Sequence, residues 1–157
     1  MKRRSRPAKR AGKRSRKRPE FSTAGPAPFG QEHIGLAATV ERIVPHEWTI
    51  QSFNQHLPPV FSTPAMIGLM EHASVMAILP QMPTGAISVG TRIEVDHLKA
   101  VPDGALVHAS ATLVGYRNRF LVFDVEARSG EHLIGRGRVF RAIVRPVEHG
   151  AKARTRI

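Results

Sequence analysis

Between Glu47 and Arg92 lie 44 residues, and Glu71 is the only Asp, Glu, Lys or Arg among them, although the whole chain is 23% charged. A lone carboxylate in an apolar stretch is either paired or chemically active, because an unpaired buried charge is costly. Burial raises a carboxylate's pKa unless a cation or donor meets it, and a raised pKa suits general-base work near neutrality. A structural role, bonded to strand groups or a neighbouring Arg, stands beside that reading. Four other residues fall into relation with it. His97 is in phase with Ile87, Val89, Thr91, Ile93 and Val95, so it turns to the core side at the end of its strand. An imidazole there is a satisfied core residue or a proton carrier. Thr63 precedes Pro64 and suits a helix N-cap, a place that also draws anions. Arg141 shares a strand face with Val139 and Ile143, and an inward Arg needs an anionic or strongly polar partner. Gly90 interrupts an apolar strand, which marks a bulge or a close approach by another group.

Spacing limits how these residues combine. Thr63 and Glu71 are eight residues apart, or ~12 Å along one helix. They do not touch within one chain. A site using both is spanned by a substrate or assembled from two subunits, which points to a dimer-interface pocket.

The elements that must hold these residues follow from pattern. Gly35–Val44 reads as a strand ending at Pro45. Thr63-Pro64 opens a helix that Pro80 closes, apolar on all sides and therefore expected to be buried on all sides. Ala86–His97, Ala105–Tyr116, Phe120–Arg128 and Leu133–Arg145 alternate with period two. Pro102-Asp103-Gly104, Arg117-Asn118 and Ser129-Gly130 separate them as turns. The short links predict that the last four strands form an antiparallel meander. The order β-α-β-β-β-β, with one buried helix wrapped by a curved antiparallel sheet, is an α+β hotdog arrangement. An open sheet of five or six strands leaves an edge, so a homodimer pairing two edges is expected.

Charge divides the chain. Residues 2–18 hold eleven Lys or Arg and no acid; without them 13 basic residues face 12 acidic ones. The domain itself is near neutral. Residues 1–30 are expected to be a disordered basic tail, 31–147 the folded domain and 148–157 a basic C-terminal tail. The first tail would bind nucleic acid non-specifically through phosphates, since it lacks aromatics for stacking. There is no Cys and no metal-ligand spacing among the His residues, so no metal site is expected. No apolar run reaches the ~18 residues of a membrane span, and no apolar segment follows the basic start as in a signal peptide. A cytoplasmic protein without membrane partners is the expectation.

Two segments carry a resemblance. Val60-Phe61-Ser62-Thr63-Pro64-Ala65-Met66-Ile67-Gly68-Leu69-Met70-Glu71 and Ser88-Val89-Gly90-Thr91-Arg92-Ile93-Glu94-Val95-Asp96-His97-Leu98 resemble the fluoroacetyl-CoA thioesterase-like branch of the hotdog thioesterases. Ala100–Gly104 and Gly137–Arg141 are similar to it as well. The resemblance covers roughly residues 31–146. It implies a catalytic set of Thr63, Glu71 and His97, with Gly90 and Arg141 near the bound acyl group. The implied activity is hydrolysis of an acyl-CoA thioester of short or small acyl group, with no cofactor beyond the coenzyme A of the substrate. Glu71 and Thr63 both remain candidates for the nucleophile. Lys99, Arg117, Arg119, Arg136 and Arg138 are candidates for the coenzyme's phosphates. A non-catalytic acyl-CoA-binding protein and a nucleic-acid-associated protein are the alternative readings.

Overall fold

A computed structural model describes residues 28–146. Of the expected tails, residues 1–27 of the first (1–30) and all of the second (148–157) lie outside the described residues. Phe29, within the expected first tail, is 1% exposed and meets the His33 ring edge-on, with centroids 5.0 Å apart.

The elements are β1 (Ala37–Ile43), α1 (Thr63–Ile78), β2 (Ile87–His97), β3 (Leu106–Arg117), β4 (Phe120–Ser129) and β5 (His132–Val144). The five strands form one antiparallel sheet in the order β1-β3-β4-β5-β2. The expected four-strand meander is therefore corrected. Only β3, β4 and β5 follow one another as hairpins, the latter two joined through Gly130 (φ 53°), a conformation suited to glycine. β2 pairs with β5 and stands at the far edge, and residues 98–105 carry the chain back across the sheet to β3.

The core lies between α1 and one face of the sheet. Val107, Ala109, Ala111 and Leu113 of β3 and Leu121, Phe123, Val125 and Ala127 of β4 are all buried, as their alternation predicts. Met66, Leu69, Met70, Ala73, Ala77 and Ile78 meet them from the helix. Each large side chain so buried stabilises the fold by about 1.5–3 kcal/mol. The small Ala positions on both strands let the helix approach closely.

α1 is not buried on every side. Pro64, Gly68, His72 and Met76 form an exposed outer stripe in the single chain. Polarity did not mark this stripe, because its residues are also mostly apolar.

β2 carries the second correction. Its register against β5 shifts between Gly90 and Arg92, leaving Thr91 as the extra residue of a bulge. The Thr91 hydroxyl donates to the Phe140 carbonyl at 3.1 Å. The bulge changes the phase of the strand. Ile93, Val95 and His97 lie opposite Val139, Gly137 and Gly135, while Ser88 and Gly90 lie opposite Ile143 and Arg141. Ser88 and Gly90, rather than Ile87, Val89 and Thr91, thus share the helix-facing side with His97.

Candidate active site

Thr63 owes its position to its neighbour. The N-cap of α1 is Ser62, whose side chain accepts from the Ala65 amide at 3.4 Å. Thr63 is the first helical residue and Pro64 the second, so the expected N-cap role of Thr63 is corrected by one position. The cap being filled, the Thr63 hydroxyl is available elsewhere. It lies 2.8 Å from His97 Nδ1. The intervening chain fixes this meeting: the Phe61 amide donates to the Val101 carbonyl at 2.7 Å, and the Leu98 amide to the Ile134 carbonyl at 2.8 Å. The first bond ties the entry of α1 to the loop after β2, and the second holds the end of β2 against β5. His97 Nε2 is buried and has no partner among the described residues. In the tautomer protonated at Nε2, Thr63 donates to Nδ1, which is the arrangement of a hydroxyl beside its base.

Two turns along the helix a different cluster forms. Arg141 Nη1 donates to Glu71 Oε1 at 3.1 Å, in an ion pair whose side chains are 6% and 32% exposed. Arg141 Nε donates to Ser88 Oγ at 2.7 Å and Nη2 to the Ser88 carbonyl at 3.1 Å. Burial lowers the Arg141 pKa from the ordinary arginine value, and the charge and hydrogen bond of Glu71 act to raise it again. Gly90 faces Glu71 so closely that a Cβ there would overlap Oε1. Both marks of a strand glycine, a bulge and a close approach, apply to it. Glu71 is only partly buried, unlike the expectation for a helix buried on all sides, and its bond to Arg141 matches the structural role set beside the catalytic one.

The five residues singled out by sequence therefore gather into two groups. Thr63 meets His97; Glu71 meets Arg141 and Gly90. The helix separates the groups within the chain, as the eight-residue spacing requires. Ser88 belongs to the second group and carried no signal, since strict alternation turns it outward. Ser74 completes the helix locally, its hydroxyl donating to the Glu71 carbonyl at 2.6 Å.

Of the cations considered for the coenzyme's phosphates, Lys99 follows His97 by two residues and lies at the Thr63 end. Arg136 and Arg138 sit on the outer sheet face opposite Asp96, Glu126, Glu94 and Asp124, with Arg138 Nε 3.0 Å from Asp124 Oδ1. Arg117 and Arg119 flank Asn118 at the β3–β4 hairpin, near Ile143. A groove of about 390 Å³ runs along the other flank of α1, lined by Arg42, Trp48, Ala65, Gly68, Leu69 and His72. It includes none of the five residues. Among the described residues no group of three His, Asp or Glu side chains gathers as a metal site, and no helix is long and apolar enough to cross a membrane.

The model of the family described as FlK, fluoroacetyl-CoA-specific thioesterase, matches residues 44–146. The fluoroacetyl-CoA thioesterase of Streptantibioticus cattleyicolor is 36% identical over 127 residues, covering 77% of this chain and 91% of that one. A solved structure of the fluoroacetyl-CoA thioesterase FlK superposes with a TM-score of 0.66 at 35% identity, over 70% of this chain and 86% of that chain. A Thermus thermophilus hypothetical protein, described as a thioesterase superfamily member, gives 0.67 at 29% identity, over 72% and 84%.

Proposed function

The chain belongs to the fluoroacetyl-CoA-specific thioesterase family, and from that premise we propose that it hydrolyses an acyl-CoA thioester of short or small acyl group to the free acid and coenzyme A. The observation that carries the reading is the 2.8 Å contact between Thr63 Oγ1 and His97 Nδ1. A hydroxyl beside an imidazole at a helix N-terminus is a base-activated oxygen next to backbone donors.

In this reading His97 Nδ1 takes the proton of the Thr63 hydroxyl, or of a water held beside it. The oxygen adds to the thioester carbonyl, the C–S bond breaks, and coenzyme A leaves with the proton that His97 returns. When Thr63 attacks, water then cleaves the acyl-threonine ester by the same route. The protonated imidazole needs an acceptor at its other nitrogen. Glu71 fits that role, since Arg141 engages only its Oε1. It lies ~12 Å along the helix in the same chain, so the acceptor is Glu71 of a second copy.

A homodimer built on the β2 edge completes the site in this proposal. β2 is a long edge strand with Ile87 and Ile93 44% and 41% exposed, and α1 offers Met76 on its outer side, with Leu79 exposed just past its end. The test is thiol release by the full chain over a panel of acetyl-, propionyl-, fluoroacetyl- and benzoyl-CoA, with sedimentation to give the oligomeric state. Release above the spontaneous rate for at least one thioester is expected. No release from any would overturn the enzyme reading, and a monomer with full activity would overturn the shared site.

A further inference from the structure

We propose that Ser88 is a positioning residue, a neutral clamp that aims the Arg141 guanidinium at Glu71 without neutralising it. The inference rests on the thioesterase reading and deepens it.

A guanidinium presents two edges that grip acceptors in pairs, and the edge formed by Nε–H and Nη2–H is the one that a carboxylate commonly fills. Here both donors go to one serine: Nε to the hydroxyl at 2.7 Å and Nη2 to the carbonyl at 3.1 Å. Ser88 thus supplies the fork geometry of a carboxylate with no charge. Arg141 is 5% exposed, so water does not compete for its direction. With one edge locked, Nη1 is left pointing at Glu71 Oε1, 3.1 Å away. An acid at position 88 would hold the same edge but would cancel the cation that Glu71 requires. An aliphatic residue would leave only the backbone carbonyl and let the long side chain rotate.

The bulge at Thr91 is what delivers Ser88 to this place. Ser88 and His97 are an odd number of positions apart, so regular pleating would put them on opposite faces. The register shift between Gly90 and Arg92 returns both to the helix side. The strand thereby serves the Thr63–His97 pair with one end and the Glu71–Arg141 pair with the other.

The experiment compares full-length Ser88→Ala, Ser88→Val and Ser88→Thr. Thr and Val have the same shape, so their difference reports the hydroxyl alone. Loss of a hydrogen bond to a charged group lowers kcat by about ten-fold in the Ala and Val variants, with KM within about two-fold of the parent. The Thr variant stays within about three-fold of the parent. A second readout is the Arg141 Nε–H resonance in ¹H–¹⁵N spectra, identified by its absence in Arg141→Lys. It is expected to exchange slowly with solvent in the parent and Thr variant and rapidly in Ala and Val. Equal kcat in Val and Thr, or unchanged Nε–H exchange in Ala, overturns the clamp. A Val variant that unfolds while Thr folds and turns over assigns Ser88 to stability alone and overturns it too. A parent that releases no thiol from any acyl-CoA counts against the thioesterase reading, while the Nε–H exchange still decides the clamp.

Discussion

At the start of α1, Thr63 and His97 meet through one hydrogen bond, with Thr63 exposed and both held by loop contacts. Two turns along, Glu71 and Arg141 meet as an ion pair, with the cation buried and gripped on a second edge by Ser88. The first pair can pass a proton from hydroxyl to imidazole, but the imidazolium so formed has a buried Nε2 with no acceptor among the described residues, so this pair depends on the second. The second is a fixed charge distribution, set by the sheet before any substrate arrives, and such preorganised charge is what stabilises developing charge in a water-poor site. In the proposed reading the difference divides the work, with proton movement at the helix start and electrostatics at the helix middle. It also explains why one chain holds two halves. Thr63 is exposed, as a group that must meet a thioester has to be, while an arginine aimed by three hydrogen bonds is closed in.

The largest effects separate the halves outright. Glu71→Gln keeps the shape and one acceptor for Arg141 but removes the anion, so turnover is expected to fall at least about a thousand-fold with the fold retained. His97→Ala and Thr63→Ala are expected to cost about a hundred- to ten-thousand-fold. Near-normal thiol release by Glu71→Gln would falsify the electrostatic role given to the second half. Mixing Thr63→Ala chains with Glu71→Gln chains sharpens the comparison. If each site takes one half from each subunit, half the dimers are hybrids and each hybrid keeps one intact site, giving about a quarter of parent activity. If both halves act from one chain, the mixture stays as inactive as its components.

Gly90→Ala probes the contact within the second half. A methyl there overlaps Glu71 Oε1, and the flexible carboxylate yields sooner than the strand. We expect a fall in kcat of about ten- to a hundred-fold with melting temperature nearly unchanged, because misplacement near the chemistry is costly at small distances. Lost stability with retained kcat would show that Gly90 serves the strand and not the carboxylate.

Much of this arrangement was legible in the sequence. The helix, the five strands and the inward residues of β3 and β4 follow from periodicity, and Glu71 stood out by charge alone. Three features did not. The place of β2 beside β5 was hidden because an eight-residue link reads like a hairpin, although it crosses the sheet. The outer stripe of α1 was hidden because Pro64, Gly68 and Met76 are no more polar than the core residues. Ser88 was hidden by the bulge, whose extra residue reverses the phase of everything before it. Gly90 was the one local sign of that bulge. It indicated an irregularity without telling which residues would change faces.

The smallest expected effect concerns the neighbours at the helix start. Ser62 caps α1 and is 1% exposed, whereas Thr63 makes no cap bond and reaches His97. Ser62→Ala should therefore lower stability by about 1 kcal/mol, a fall of roughly 3–6 °C in Tm for a domain of this size. Its turnover should stay within about three-fold of the parent, because Thr63 and His97 remain bonded. Thr63→Ala should do the reverse, with stability changed by no more than about 0.5 kcal/mol and turnover lost. Thermal melting and thiol release on the two variants give four numbers, and the prediction is their crossing. If Ser62→Ala instead destroys turnover at nearly full stability, the freed amide has drawn the Thr63 hydroxyl into the cap. The first pair would then depend on its neighbour's cap bond as closely as Arg141 depends on Ser88, and the contrast between a loosely held half and a clamped one would disappear.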